Sequence, residues 1–156
     1  METALQSFPE LFEIIGVLAR RRYQCAERQF AKLGLNHSEA RILILLEQEE
    51  GTATQDTLSS QLFVDRSNAG RALKSLEHSG HITRKKDETD KRTNMVHLTA
   101  LGKDTILEIQ KLKQGIIDGF FGTLSEKEAG HVVTLMKKVM TNDEQEAAIK
   151  EDRNRC

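Results

Sequence analysis

A mainly α fold carrying one short β-hairpin is what this sequence predicts, and three observations predict it. Most of the chain repeats apolar residues at helical spacing. A single proline in 156 residues leaves those stretches uninterrupted. Only the segment 81–98 changes period, into two short strand-like runs around a polar loop.

The first helix begins near Pro9, which a first turn tolerates, with Ser7 as its expected cap. Its apolar positions run through Leu11, Ile14, Ile15, Leu18, Tyr23, Ala26 and Phe30, and Gly34 stops it. Arg20, Arg21 and Arg22 spread over most of a turn, so they cannot all face one partner. Asn36-His37-Ser38-Glu39 then reads as a capping box, opening a helix to about Glu50. That helix is apolar nearly all round at Ile42-Leu43-Ile44-Leu45-Leu46, the mark of a helix enclosed by others. Gly51-Thr52-Ala53 breaks it, and Thr54 caps a short helix to about Leu62 with Leu58 and Leu62 inward.

After the turn Phe63-Val64 comes the stretch around which the rest is organised, Asp65 to Gly80. Asp65 suits an N-cap and Gly80 suits the left-handed residue beyond a helix end. Ala69, Ala72, Leu73 and Leu76 form one apolar stripe, while Arg66, Ser67, Asn68, Arg71 and Lys74 occupy the other face. Small residues inward and arginine, serine and asparagine outward suit a DNA major groove. Taken alone, the same pattern fits an ordinary solvated helix equally well, so the residues that follow decide between the two. His81–Lys86 and Asn94–Leu98 read as strands, joined by a projecting loop, Asp87 to Thr93. Two helices joined by a few residues and followed by a basic hairpin make a winged helix-turn-helix. Thr99 caps a long helix to about Phe121, and Ser125-Glu126-Lys127-Glu128 is a capping box opening a last one. Beyond Thr141 the chain is polar, expected as a frayed tail or a helix extension.

Length fits one domain with a real core. Net charge is only −1, but its distribution is uneven. Residues 65–92 hold eight Lys/Arg against five Asp/Glu, net +3, whereas residues 1–50 hold six against eight, net −2. A local basic patch on a near-neutral chain is the footprint of a site-specific binder. Cys25 and Cys156 make neither a disulfide framework nor a zinc knuckle. No leader is visible and the longest apolar run, Ile42 to Leu46, cannot span a bilayer, so a soluble, cytoplasmic protein is expected. No phosphate-cradling glycine loop, nucleophile elbow or metal motif is present, so neither an enzyme nor a cofactor is expected.

The segment Thr54 to Gly102 closely resembles the MarR family of bacterial transcription regulators. The residues that carry the resemblance are Asp65-Arg66-Ser67, Leu73 to Leu76, and Glu77-His78-Ser79-Gly80-His81-Ile82-Thr83-Arg84. The wing Asp87 to Asp90-Lys91-Arg92 and the exit Leu98-Thr99-Ala100-Leu101-Gly102 complete it. The resemblance covers nearly the whole chain. It implies one MarR-type domain over 1–156, with a DNA-binding lobe at about 36–100 and helical dimerisation regions at about 5–34 and 100–141. It further implies a homodimer that binds a palindromic operator as double-stranded DNA, acting as a repressor released by a small-molecule effector. Arg66, Ser67, Asn68, Arg71 and Lys74 would contact the operator from the helix; Asp90, Lys91 and Arg92 would do so from the wing, with Arg92 in the minor groove. Gly70 departs from the larger polar residue that relatives often carry there, at about 1 kcal/mol of helix propensity.

Relatives in the family sense phenolic acids, antibiotics, lipophilic metabolites, oxidants or zinc. The region 100–121 has no histidine, which disfavours zinc. Cys25 is the redox candidate: it follows three arginines, yet it lies later in the first helix than the reactive cysteine of peroxide-sensing relatives. A small anionic or aromatic effector is expected instead, with Arg21, Tyr23 and His37 as its candidate polar contacts. The alternatives are a thiol-based regulator using Cys25, or a winged-helix protein-interaction module that does not bind DNA.

Overall fold

Helix α1 spans Ser7–Ala31 in the computed structural model, which describes residues 6–62 and 66–146. Gln6 is its N-cap and makes no side-chain capping bond, so Ser7 is the first helical residue and not the cap. A serine inside the first turn cannot place its hydroxyl on the N–H two or three residues ahead as an N-cap does. Helix α2, His37–Gln48, has the expected capping box. Glu39 N donates to Asn36 Oδ1 at 2.9 Å, and Asn36 N donates to Glu39 Oε2 at 3.1 Å. Ile42, Leu43, Leu45 and Leu46 are buried, and α2 is packed by the remaining helices of the core. The all-round apolar surface is thereby accounted for.

A short strand follows, β1 at Thr52–Thr54, where the sequence suggests only a break. Its residues become a strand because Ala53 pairs with Val96, far along the chain, and both are buried. Thr54 then caps α3, Gln55–Leu62, accepting from Thr57 N at 3.1 Å. Leu58 is fully buried and Leu62 partly so.

Helix α4 spans Arg66–His78. Phe63, Val64 and the expected cap Asp65 lie outside the described residues, as does the side chain of Arg66. The apolar stripe is as expected: Ala69, Leu73 and Leu76 are wholly buried and Ala72 nearly so. At the far end Gly80 takes φ 83°, a left-handed conformation that glycine adopts without a Cβ penalty. His81 N donates to Leu76 O at 2.9 Å and Gly80 N to Glu77 O at 3.1 Å, the paired bonds of a Schellman ending.

The chain then enters β2, Ile82–Lys86, and returns in β3, Asn94–Leu98. The three strands are antiparallel in the order β1-β3-β2, with Ile82 opposite Leu98 and Lys86 opposite Asn94. Ile82 and Val96 turn into the core. Thr99 caps α5, Ala100–Phe120, by accepting from Gly102 N at 3.1 Å. Its hydroxyl also donates towards Gly80 O at 2.6 Å and His81 O at 3.0 Å, so α5 starts fastened to the exit of α4. Ile106 and Ile109 anchor α5 in the core.

Helix α6, Glu126–Lys137, carries the second expected capping box, Ser125 with Glu128. The tail differs from expectation. The helix breaks after Lys137, and residues 142–146 are helical again. Thr141 and Glu144 cap this turn reciprocally, Thr141 N donating to Glu144 Oε2 at 2.7 Å and Glu144 N to Thr141 Oγ1 at 3.4 Å. Cys156 lies outside the described residues.

The apolar faces of α1 and α6 are left open. Phe8 is 82% exposed, Leu11, Phe12, Ile14, Ile15, Val17 and Leu18 are exposed beside it, and Val132, Val133 and Leu135 project from α6. An unpaired stripe of this size on two helices marks an association surface. Among the described residues no helix is long and apolar enough to cross a membrane.

Candidate DNA interface and effector cavity

The outward face of α4 is polar from Ser67 onward. Ser67, Asn68, Arg71 and Lys74 are all exposed, opposite the buried Ala69, Ala72, Leu73 and Leu76. The burial of four residues in one helical stripe therefore fixes the direction in which these donors point. Arg71 Nη2 donates to Asn68 Oδ1, one turn back, which orients both side chains on the helix surface. Gly70 lies on the helix with open space where a Cβ would stand.

The wing tip is built on two aspartates. Asp87 Oδ1 accepts from both Thr89 N and Thr89 Oγ1 at 2.9 Å, and these bonds hold its carboxyl below the usual range. Asp90 Oδ1 accepts from Arg92 N at 3.1 Å, its carbonyl accepts from Thr93 N at 2.9 Å, and Oδ2 accepts from Thr93 Oγ1 at 3.3 Å. Around this turn Lys91 is exposed, and the Arg92 side chain is 97% exposed, its Nε 3.7 Å from Asp90 Oδ1. Asp90 thus shapes the loop from which Arg92 projects. A tip of this form offers an exposed cation on a hydrogen-bonded turn, and a cation of this kind suits a narrow, negative groove.

The wing is tied to α4 as well. Arg84 Nη2 donates to Glu77 Oε1 at 3.0 Å, and that bond holds the Glu77 carboxyl below its usual value. Nothing in the periodicity of the sequence singles out this pair, because the short connection between α4 and β2 decides it.

A second site lies among α1, α2 and α5, in a cavity of about 550 Å³. Tyr23 and His37 both line it, their ring centroids 4.4 Å apart. Phe30 lies 5.9 Å from the same imidazole, and Ile109, Ile116, Ile117 and Phe120 supply apolar wall. Arg22, Arg41 and Lys113 also line the cavity, so three basic side chains from three helices reach its wall. Burial, then the charges of Arg41 and Arg22, pushes the His37 pKa below its usual value, and His37 Nδ1 is buried without a hydrogen-bond partner.

Of the three expected effector contacts, Tyr23 and His37 meet in this cavity and Arg21 does not line it. Arg21 lies across the end of α5 instead. Its Nη2 donates to Phe120 O and its guanidinium sits 4.2 Å from the Phe120 ring centroid. Arg22 takes the inward role, because successive residues on a helix are rotated by about 100°. Arg41 and Lys113 carry no signal in the sequence either, since three separate helices must pack before they share a wall. Cys25 is half-buried on α1 and in no disulfide, and it is not among the cavity-lining residues. No group of three or more metal-ligating side chains occurs among the described residues.

Comparison with known proteins places this architecture. Residues 33–93, from just after the first helix to the loop at the wing tip, match the MarR family model. A helix-turn-helix transcriptional regulator of Bacillus subtilis, YkoM, is 30% identical over 105 residues, covering 67% of this chain and 68% of its own. The Escherichia coli transcriptional repressor MprA is 27% identical over 113 residues, 72% of this chain and 64% of that one. In three dimensions, MarR from Escherichia coli bound to operator DNA superposes with a TM-score of 0.74 at 21% identity, covering 87% of this chain and 97% of that one. The regulator SlyA gives a TM-score of 0.70 at 25% identity over 91% and 95% of the two chains. With the helix-turn-helix, the wing and the flanking helices in the same order, the chain belongs to the MarR family and is a DNA-binding transcription regulator.

Proposed function

We propose that the protein is a homodimeric repressor that binds an inverted-repeat operator and is released by a small aromatic anion. The observation that carries the DNA reading is the division of α4 into a buried apolar stripe and an exposed face of Ser67, Asn68, Arg71 and Lys74, followed by a wing ending in Arg92. Arg71 is suited to a guanine edge, Lys74 to phosphate and Arg92 to the minor groove. Ser67 and Asn68 complete the helix surface towards the bases, Arg66 is a further operator contact by family resemblance, and Asp90 and Lys91 complete the wing. The open faces of α1 and α6 support dimerisation through the regions about 5–34 and 100–141, with about 36–100 as the DNA-binding lobe. The cavity supports the effector reading: an aromatic ring fits beside Tyr23, His37 and Phe120, and a carboxylate or phenolate fits Arg22, Arg41 and Lys113. The protein acts where its DNA is, in the cytoplasm, and no chemistry is assigned to it.

A gel shift with the DNA upstream of the protein's own gene tests this function. Retardation by nanomolar protein that a hundredfold excess of unrelated duplex does not compete away is expected. Competition by unrelated duplex at equal concentration would contradict it.

A further inference from the structure

The wing is held to the rest of the lobe along β3, which pairs with β1 from His97 to Met95, and by two further attachments that lie on different parts of it. The first is at its base. Gly80 and His81 are closed onto the end of α4 by the Schellman bonds, and the Thr99 hydroxyl reaches both of their carbonyls. A hairpin held at its base and along β3 alone can still twist about that line on its β2 side, and the tip of this one projects beyond Lys86. The second attachment lies farther out, at Arg84 in the middle of β2, whose guanidinium reaches back to Glu77 on the last turn of α4 at 3.0 Å. Strand β2 is one of the two edges of the sheet, with a strand neighbour only on the β3 side. Its other side has no ladder to resist bending. The Glu77–Arg84 bond acts on that unsupported side.

We propose that Glu77 and Arg84 are positioning residues for DNA reading: their pair fixes the pitch of the wing against α4 and so sets which flanking base pairs the wing discriminates. The inference rests on the DNA reading given above. Two contacts on one rigid body read a sequence together only if the spacing between them is held. Major-groove contacts from α4 and a minor-groove contact from the wing are separated along the duplex, so a change of pitch displaces one relative to the other. The pair is partly exposed, at 25% for Arg84 and 40% for Glu77, and such a pair contributes little to folding stability. Its removal therefore alters geometry while the lobe stays folded. The pair also keeps a cation from a polyanion. Without Glu77, Arg84 becomes available to phosphate, which adds affinity for any sequence and steepens the salt dependence.

The test is selection of bound duplexes from a pool randomised over some 30 base pairs, using the full chain as wild type, Glu77→Gln, Arg84→Gln and Arg84→Lys. Thermal unfolding is followed for each protein. Wild type is expected to enrich an inverted repeat with a weaker preference at its flanks. In Glu77→Gln and Arg84→Gln the central half-sites persist while the flank preference falls at least about threefold, within the range of single-pair discrimination. Glu77→Gln alone gains affinity for unrelated duplex, and Arg84→Lys, which retains the charge, keeps the flank preference. Unchanged flanks in both neutralised variants would overturn the proposal, and so would an equal fall at flank and centre. Enrichment of no sequence by wild type would overturn the DNA reading itself.

Discussion

Gly102 stands so close to the carbonyl oxygen of His81 that a Cβ there would overlap it, and would also lie 2.6 Å from Leu98 Cδ1. Gly70, also helical, has nothing within 4 Å of the equivalent position. The same substitution should therefore have opposite signs at the two sites. Gly70→Ala gains helix propensity, about 0.5–1 kcal/mol. Gly102→Ala gains the same term but must push α5 away from a backbone atom, at about 1–3 kcal/mol. Urea unfolding at equilibrium measures both. A stabilised Gly102→Ala would mean that the junction of α5 with the hairpin is looser than the structure has it.

The dimer is tested on the open faces of α1 and α6. Ile14 is 46% and Val133 51% exposed, and each lies within a stripe of exposed hydrophobic residues. Ile14→Glu or Val133→Asp would place a charge in an apolar interface and should shift the protein to monomer or to soluble aggregate in sedimentation analysis. The wild type should unfold at higher temperature as its concentration rises. Full dimerisation in both variants would place the interface elsewhere.

The cavity predicts selectivity for charge as well as for shape. Isothermal titration with benzoate and its hydroxylated relatives should show binding, and with benzamide none. Arg22→Gln should weaken the anion about tenfold or more, the usual worth of a hydrogen bond to a charged group. Equal binding of benzoate and benzamide would remove the cationic wall from the explanation.

The histidine in that cavity also has a pH signature. The His37 pKa is lowered from 6.5 in the folded chain, mainly by burial and then by Arg41 and Arg22, so the unfolded chain binds the proton more readily. Stability should accordingly rise with pH between the folded and unfolded values, and fall as pH drops below about 6.5. His81 is shifted the same way by burial, so His37→Gln should reduce the slope and not abolish it. Unfolding midpoints from pH 5 to 8 measure this. An identical slope in His37→Gln would mean that its ring is solvated.

How far the fold is legible depends on the range of the interaction. The Asn36 and Ser125 capping boxes, the Thr54 and Thr99 caps and the Gly80 ending are each set within a few residues, and the sequence announces them. Strand β1 is hidden because nothing in Thr52-Ala53-Thr54 marks a strand until Val96 arrives beside Ala53. The inward arginine differs by one residue from the expected one, Arg22 in place of Arg21, since apolar periodicity fixes a helix phase more coarsely than the 100° between neighbours. Ser7 resembles a cap because Ser-x-Pro-Glu suits a helix start, yet the helix begins one residue earlier than that cap requires. The α4 face is legible because Ala69, Ala72, Leu73 and Leu76 can be buried together in only one orientation.

Binding of Arg71→Ala, Lys74→Ala and Arg92→Ala to an operator and its single-pair variants, over a range of salt, tests the central claim most directly. Two α4 helices of a symmetric dimer must enter successive major grooves roughly 34 Å apart, so the operator should be an inverted repeat with half-sites about one turn apart. Arg71→Ala should cost about 1–3 kcal/mol and relax preference at one base position in each half-site. Lys74→Ala should weaken all sequences alike and flatten the salt slope by about one for each phosphate no longer neutralised. Arg92→Ala should lose affinity mainly where the flanks are A·T-rich. Wild-type affinity and salt slope in all three variants would contradict the claim that α4 and the wing are the DNA-reading surface.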